Sequence, residues 1–142
     1  MAVDNSVIKA YGILPIYVTE DTSKEYLIVQ NHDGYWGFPK GGANNNESPK
    51  EAAVRELLEE TGIKVAVDDL KESIDYEYLM TTPEGTKNKK VYLFPVFVKN
   101  KDVELQNEEL QQYKWTEIDE AVALIKLDSL TRKLEAIDGN KQ

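Results

Sequence analysis

The chain has 142 residues, a formal net charge of -9, 41% hydrophobic and 30% charged residues, and no cysteine. That length suits one domain with one core, the acidic balance excludes a whole-surface grip on DNA or an anionic membrane, and the lack of cysteine excludes disulfides and thiol catalysis. No run of 18 apolar residues occurs and the start "MAVDNSVIKAYG" lacks a basic region followed by an apolar one, so the expectation is a cytoplasmic protein, a single domain over residues 1–142, without membrane attachment.

In chain order, "AYGILPIYV" (10–18) and "EYLIVQ" (25–30) read as strands joined by the polar turn "TEDTSK". "NHDGYWGF" reads as a turn and a short strand that Pro39 ends. "ESIDYEYLMT" and "KVYLFPVFV" read as further strands, separated by "TPEGTKNK", where Pro83 and Gly85 mark a turn. Pro95 inside the last run predicts an edge strand or a bulge. After "YKWTEI", helical spacing brings together Ala121, Leu124 and Ile125, then Leu130, Leu134 and Ile137. Strands surrounding one central helix, with helical runs closing the chain, predict an α/β or α+β fold in which helices cover a mixed sheet.

The central helix has sharp boundaries. Ser48, Pro49 and Glu51 give an N-cap, a first-turn proline and the reciprocal glutamate of a capping box, and Gly62 sits where a left-handed C-cap is wanted. Ala53, Val54, Leu57, Leu58 and Thr61 share the face expected to meet the core. On the other side Glu56 and Glu60 are four apart and Glu56 and Glu59 three apart, with the small Ala52 between them leaving room for an approach. Like charges at these spacings cost roughly 0.2–0.5 kcal/mol per pair, and glutamate near a helix C-terminus opposes the macrodipole. A solvated acidic face is the plain explanation of one such pair. Three carboxylates beside a small residue are better explained by a hard divalent cation, which takes oxygen ligands and keeps waters for phosphate oxygens to replace.

Gly41, Glu47, Arg55, Glu56, Leu57, Glu59, Glu60, Gly62 and Ile63 stand at the spacing of the Nudix box, so the chain resembles the Nudix hydrolases. With seven fixed identities, chance would produce the pattern on the order of once in 10⁸ windows. The resemblance implies an α/β/α sandwich with a central mixed sheet and hydrolysis of a nucleoside diphosphate linked to a further group. It further implies Mg²⁺ (or Mn²⁺) held by Glu56, Glu59, Glu60 and a backbone carbonyl near Lys40 or Gly41, with Arg55 pairing to Glu47. Gly41 and Gly42 let backbone approach the phosphates. The loop departs from many relatives, which have glycine before the residue aligned with Glu47. Here it reads "ANNN" (43–46), where asparagine is suited to a left-handed turn.

Outside the box, "WGFPKGG" and "NEELQQYKWTEIDEA" are similar to the asymmetric diadenosine tetraphosphate hydrolases of that family. By that likeness Lys40 contacts phosphate, and Glu109, six residues before Trp115, is an additional metal ligand or the general base, against a plain reading as a solvated loop charge. Lys87, Lys89 and Lys90 form the most basic patch, which either steers a polyphosphate or keeps a hairpin soluble. Lys89 and Tyr92 are the candidates for phosphate and base, although Tyr92 is one residue off the relatives' register and fits a core or edge position as well. His32 reads as a loop residue; Trp36 is expected beneath the phosphate loop and Trp115 at the start of the final helix. The expected substrate is a dinucleoside polyphosphate or another nucleoside diphosphate derivative, and the expected assembly a monomer or homodimer. An RNA 5′ pyrophosphohydrolase, an oxidised-dGTP pyrophosphatase and a non-catalytic nucleotide-binding module stand as alternatives.

Overall fold

The computed structural model describes residues 7–106 and 108–139; the first six residues of the stretch read for a leader lie outside that range. Strand β1 (Val7–Val18) turns through Thr19–Ser23 into β2 (Lys24–Asn31), its antiparallel partner. Two short strands, β3 (Trp36–Gly37) and β4 (Lys40–Gly41), then run along β2 and β1 in turn. Helix α1 (Pro49–Thr61) follows, then a 3-10 turn at Val67–Asp69 and the hairpin of β5 (Ile74–Thr82) and β6 (Gly85–Phe97). β7 (Leu110–Thr116), α2 (Ile118–Ile125) and α3 (Asp128–Gly139) complete the described chain. None of the described helices is long and apolar enough to cross a membrane.

The strands form one seven-stranded mixed sheet in the order β3-β2-β1-β6-β5, with β4 on β1 and β7 on β2. β1 and β6 run parallel at its centre, from Val7 opposite Asn88 to Ile16 opposite Phe97. Alternation sorts their side chains to two faces. Ala10, Leu14, Ile16, Val91 and Leu93 meet Ala121, Leu130 and Leu134 of α2 and α3 on one face, while Ile13, Phe94 and Val96 meet Ala53 and Leu57 of α1 on the other.

Four expectations need correction. β6 is a central strand although it contains Pro95: the β5 ladder ends at Ile74 opposite Leu93, and the Pro95 carbonyl accepts a bond from the Lys71 amide. A residue's own N–H and C=O point to the same side of a strand, so the missing donor faces a region beyond the end of β5. β7 is a strand where no element was expected, because its outward-facing Gln111, Gln112 and Lys114 carry little β signal. On α1, Leu58 is 42% exposed whereas Glu60 is only 5% exposed, and Ala52 is fully buried rather than open to an approaching group. Finally, Trp36 packs on the α2–α3 core and Trp115 donates to the Lys101 carbonyl, so neither takes the place expected of it.

Candidate active site

The loop and helix that carry the acidic residues are fixed by local chemistry. Ser48 accepts from the Glu51 amide at 3.1 Å, and Glu51 Oε1 accepts from the Ser48 amide at 2.8 Å. Gly62 closes α1 at φ 76°. In the loop, Asn46 takes the left-handed conformation at φ 67°, so asparagine makes the turn for which many relatives use glycine. Asn44 and Glu47 close it with two bonds, amide to carbonyl at 3.1 Å and amide to carboxylate at 2.8 Å.

Two glycines let backbone and side chains converge. A Cβ on Gly41 would lie 2.2–2.4 Å from the Glu56 carboxyl group, so a glycine is what admits Glu56 beside the loop. A Cβ on Gly12 would lie 2.3 Å from the Pro39 carbonyl oxygen and 2.7 Å from Lys40 Cβ. Gly12 therefore seats the entry of the loop against β1. In the sequence its one signal is a glycine inside an apolar strand, which marks close backbone approach.

Arg55 is the hub of the acidic cluster. Its Nε and Nη2 bind the two oxygens of Glu47 at 2.7 and 2.9 Å, Nη2 also reaches the Gly42 carbonyl at 2.8 Å, and Nη1 reaches Glu56 at 3.0 Å and Glu59 at 3.1 Å. The fork geometry of a guanidinium suits such a bidentate grip. By it Glu47 is held below the usual carboxylate range. Among the described residues no three acidic side chains converge on one point. Arg55 supplies the positive charge to which Glu56 and Glu59 turn, and it leaves the Glu59 side chain 55% exposed, on the rim.

Glu60 lies deeper. Burial, and then the hydrogen-bonded Glu56 carboxyl beside it, push its pKa up to about 9; Lys40 opposes this and Glu109 adds to it. Lys40 is drawn down to about 8 by burial first and by Lys89 second, with Glu60 partly offsetting both. Burial also lowers Lys89. Glu56, Glu60, Glu109, Lys40 and Lys89, brought in from four segments, are thus linked electrostatically, Glu60 to Glu56, Lys40 and Glu109, and Lys40 in turn to Lys89. Tyr92 is not among them: it stacks on Tyr11 at 5.5 Å and packs with the α1 core, whereas the strand's alternation sends Lys89 to the opposite face. Lys90 lies over the Tyr92 ring and pairs with Asp75 at 3.2 Å, and exposed His32 meets the Glu108 carbonyl at 2.6 Å.

With this geometry the model of the NUDIX domain matches residues 10–136. The chain belongs to the Nudix family. It is a Nudix hydrolase, an enzyme that cleaves pyrophosphate bonds, and members of this family use divalent metal ions. The chain is 31% identical over 123 residues to the asymmetrical bis(5′-nucleosyl)-tetraphosphatase of Rattus norvegicus, covering 82% of this chain and 80% of the rat protein. It is 32% identical over 103 residues to the RNA pyrophosphohydrolase of a Wolbachia strain, covering 64% of each chain. A crystal structure of a C. elegans Ap4A hydrolase binary complex superposes with a TM-score of 0.71 over 92% of this chain and 94% of that one, at 24% identity, which shows the shared Nudix fold. The expected α/β/α sandwich around a mixed sheet is therefore present.

Proposed function

We propose that this Nudix hydrolase cleaves diadenosine tetraphosphate asymmetrically into ATP and AMP with Mg²⁺ or Mn²⁺. The observation that carries the reading is the nearness of half-buried Lys40, with half-buried Lys89 beside it, to buried Glu60 and its hydrogen-bonded partner Glu56. Cations drawn away from water favour an anionic ligand, and a buried carboxyl pair favours a metal cation. A substrate that is a chain of phosphates bound through metal satisfies both. The relatives' names, the Lys40 entrance and the position of Glu109 before Trp115 support the dinucleoside polyphosphate in particular.

The residues present fit a hard divalent ion. All candidate donors are oxygens, and Gly41 leaves the space in which the Glu56 carboxylate stands beside the loop. Glu56 and Glu60, with a carbonyl at Lys40 or Gly41 and with Glu59 once its carboxylate turns from Arg55, would hold it. Such an ion, when bound, neutralises phosphate charge and acidifies a water. Lys40 and Lys89 bind the phosphate oxygens, Gly41 and Gly42 let the chain lie close to backbone, and Arg55 keeps loop and helix in register. Glu109 accepts the proton of the water that attacks phosphorus in line. A cytoplasmic setting is proposed with this reading, on the reduced state that a chain without cysteine tolerates.

The Wolbachia relative favours a second reading, removal of pyrophosphate from RNA 5′ ends. Anion-exchange chromatography of products decides between them. ATP and AMP in equal amounts from diadenosine tetraphosphate would support the first; no turnover of it, with pyrophosphate released from 5′-triphosphorylated RNA, would establish the second.

A further inference from the structure

Tyr113 on β7 stands opposite Val29 on β2, and Val29 stands opposite Gly37 on β3. The three share one sheet face, because partners in register point the same way. Lys40 Nζ lies over the far end of this row, 3.3 Å from where a Cβ on Gly37 would be. Two inter-strand spacings, roughly 10 Å, separate Tyr113 from that ammonium. Val29 between them is 4% exposed, yet Tyr113 is 40% exposed.

Its neighbours along β7 have structural work that it lacks. Trp115 donates to the Lys101 carbonyl at 3.1 Å and meets Tyr17 edge to face at 6.3 Å; Gln111 donates to Gln30 at 2.8 Å, and Gln112 donates to the same oxygen. Among the described residues no other ring stacks on Tyr113. Glu109, just before the same strand, acts electrostatically on Glu60. β7 and the residue before it thus carry a carboxylate that acts on Glu60 and an exposed aromatic ring on the row that ends at Lys40.

We propose that Tyr113 is the platform on which a nucleobase of the substrate stacks, at the end of the cleft opposite Lys40. The inference rests on the reading of Lys40 as a phosphate contact. An aromatic face accepts any base, so the platform provides affinity for nucleotides over bare polyphosphate rather than selection among bases.

The test is isothermal titration of ATP and, separately, of inorganic tripolyphosphate into the full chain in Mg²⁺. Tyr113→Ala should weaken ATP binding about 10- to 100-fold and leave tripolyphosphate binding unchanged, while Tyr113→Phe and Tyr113→Trp keep the ATP affinity. Equal weakening of both ligands, undiminished ATP binding in Tyr113→Ala, or no binding of ATP by the unmodified chain would each overturn the assignment. Because binding is read instead of turnover, failure to cleave diadenosine tetraphosphate would be detected separately, by product chromatography.

Discussion

Helices α1 and α3 cover opposite faces of the same sheet and do so by different means. α3 buries Leu130 and Leu134 and is tied at both ends by other elements. Ser129 donates to the Glu77 carbonyl at 3.0 Å, Lys133 pairs with Asp75 at 3.1 Å, Lys24 donates to the Ile137 carbonyl at 3.2 Å, and the Tyr26 hydroxyl donates to Asp138 at 2.8 Å. α1 carries its own caps, but gives part of its buried face to Glu60 while Leu58 stands in water. A helix selected for stability alone would exchange those two residues. The difference separates a covering helix from one that tolerates a costly buried acid, as the function proposed for Glu60 requires.

The sharpest way to break this comparison is Glu56→Gln. Turnover should fall about 10³-fold or more, as expected when a metal-binding group worth several kcal/mol is lost, while stability changes by no more than about 1 kcal/mol, the worth of a partly exposed ion pair such as Arg55–Glu56. Retained turnover in a steady-state assay would return Glu56 to the rank of a surface residue.

Leu134→Ala should do the reverse. It should cost about 2–5 kcal/mol in urea unfolding, with the rate per folded molecule unchanged. A loss of activity in fully folded Leu134→Ala protein would show that α3 belongs to the site as well as the fold.

Glu60 gives a pH test of the metal-free protein. Its ordinary pKa of 4.5 applies to the unfolded chain and its folded value is about 9, so the folded state holds the proton more tightly. Its contribution is complete below pH 4.5 and is lost progressively as pH rises through about 9. Glu60→Gln should flatten that alkaline decline relative to the unmodified chain, and parallel stability curves for the two proteins would contradict the burial argument. The smallest effect belongs to Ser48→Ala, about 1 kcal/mol for one lost N-cap, measurable by urea unfolding. A cost near zero would mean that Arg55 and its partners hold the helix start by themselves.

The sequence disclosed features that depend on neighbouring residues and obscured those that depend on distant ones. Ser48, Glu51 and Gly62 announce the ends of α1 because capping is completed within a few positions. The Arg55–Glu47 pair is legible through the box that carries both. Glu60 and Leu58 were exchanged because they are two residues apart near opposite edges of the apolar face, and only the packing of β1, β4 and the loop before β7 decides which is covered. The amides of Glu104 and Gln106 bind the carbonyls of Thr61 and Glu60, a contact across more than forty residues that no local pattern encodes. Tyr92 and Lys89 illustrate the same limit: both lie in one short run, and strand register places them on opposite faces.

The parallel pairing of β1 with β6 bears on how the chain is made. Val7 lies opposite Asn88, about eighty residues later, so β1 waits until β2 to β5 and α1 have been made before its central partner exists. Contacts of such long range slow folding, since loop closure precedes any gain from pairing. Meanwhile the apolar Ile13, Leu14 and Ile16 are exposed on a strand whose early partner, β2, pairs only at its far end. Nascent chains halted before residue 88 are therefore expected to be a target for chaperones that recognise extended apolar segments, and Leu14 and Ile16 lose that exposure only once α2 and α3 have followed.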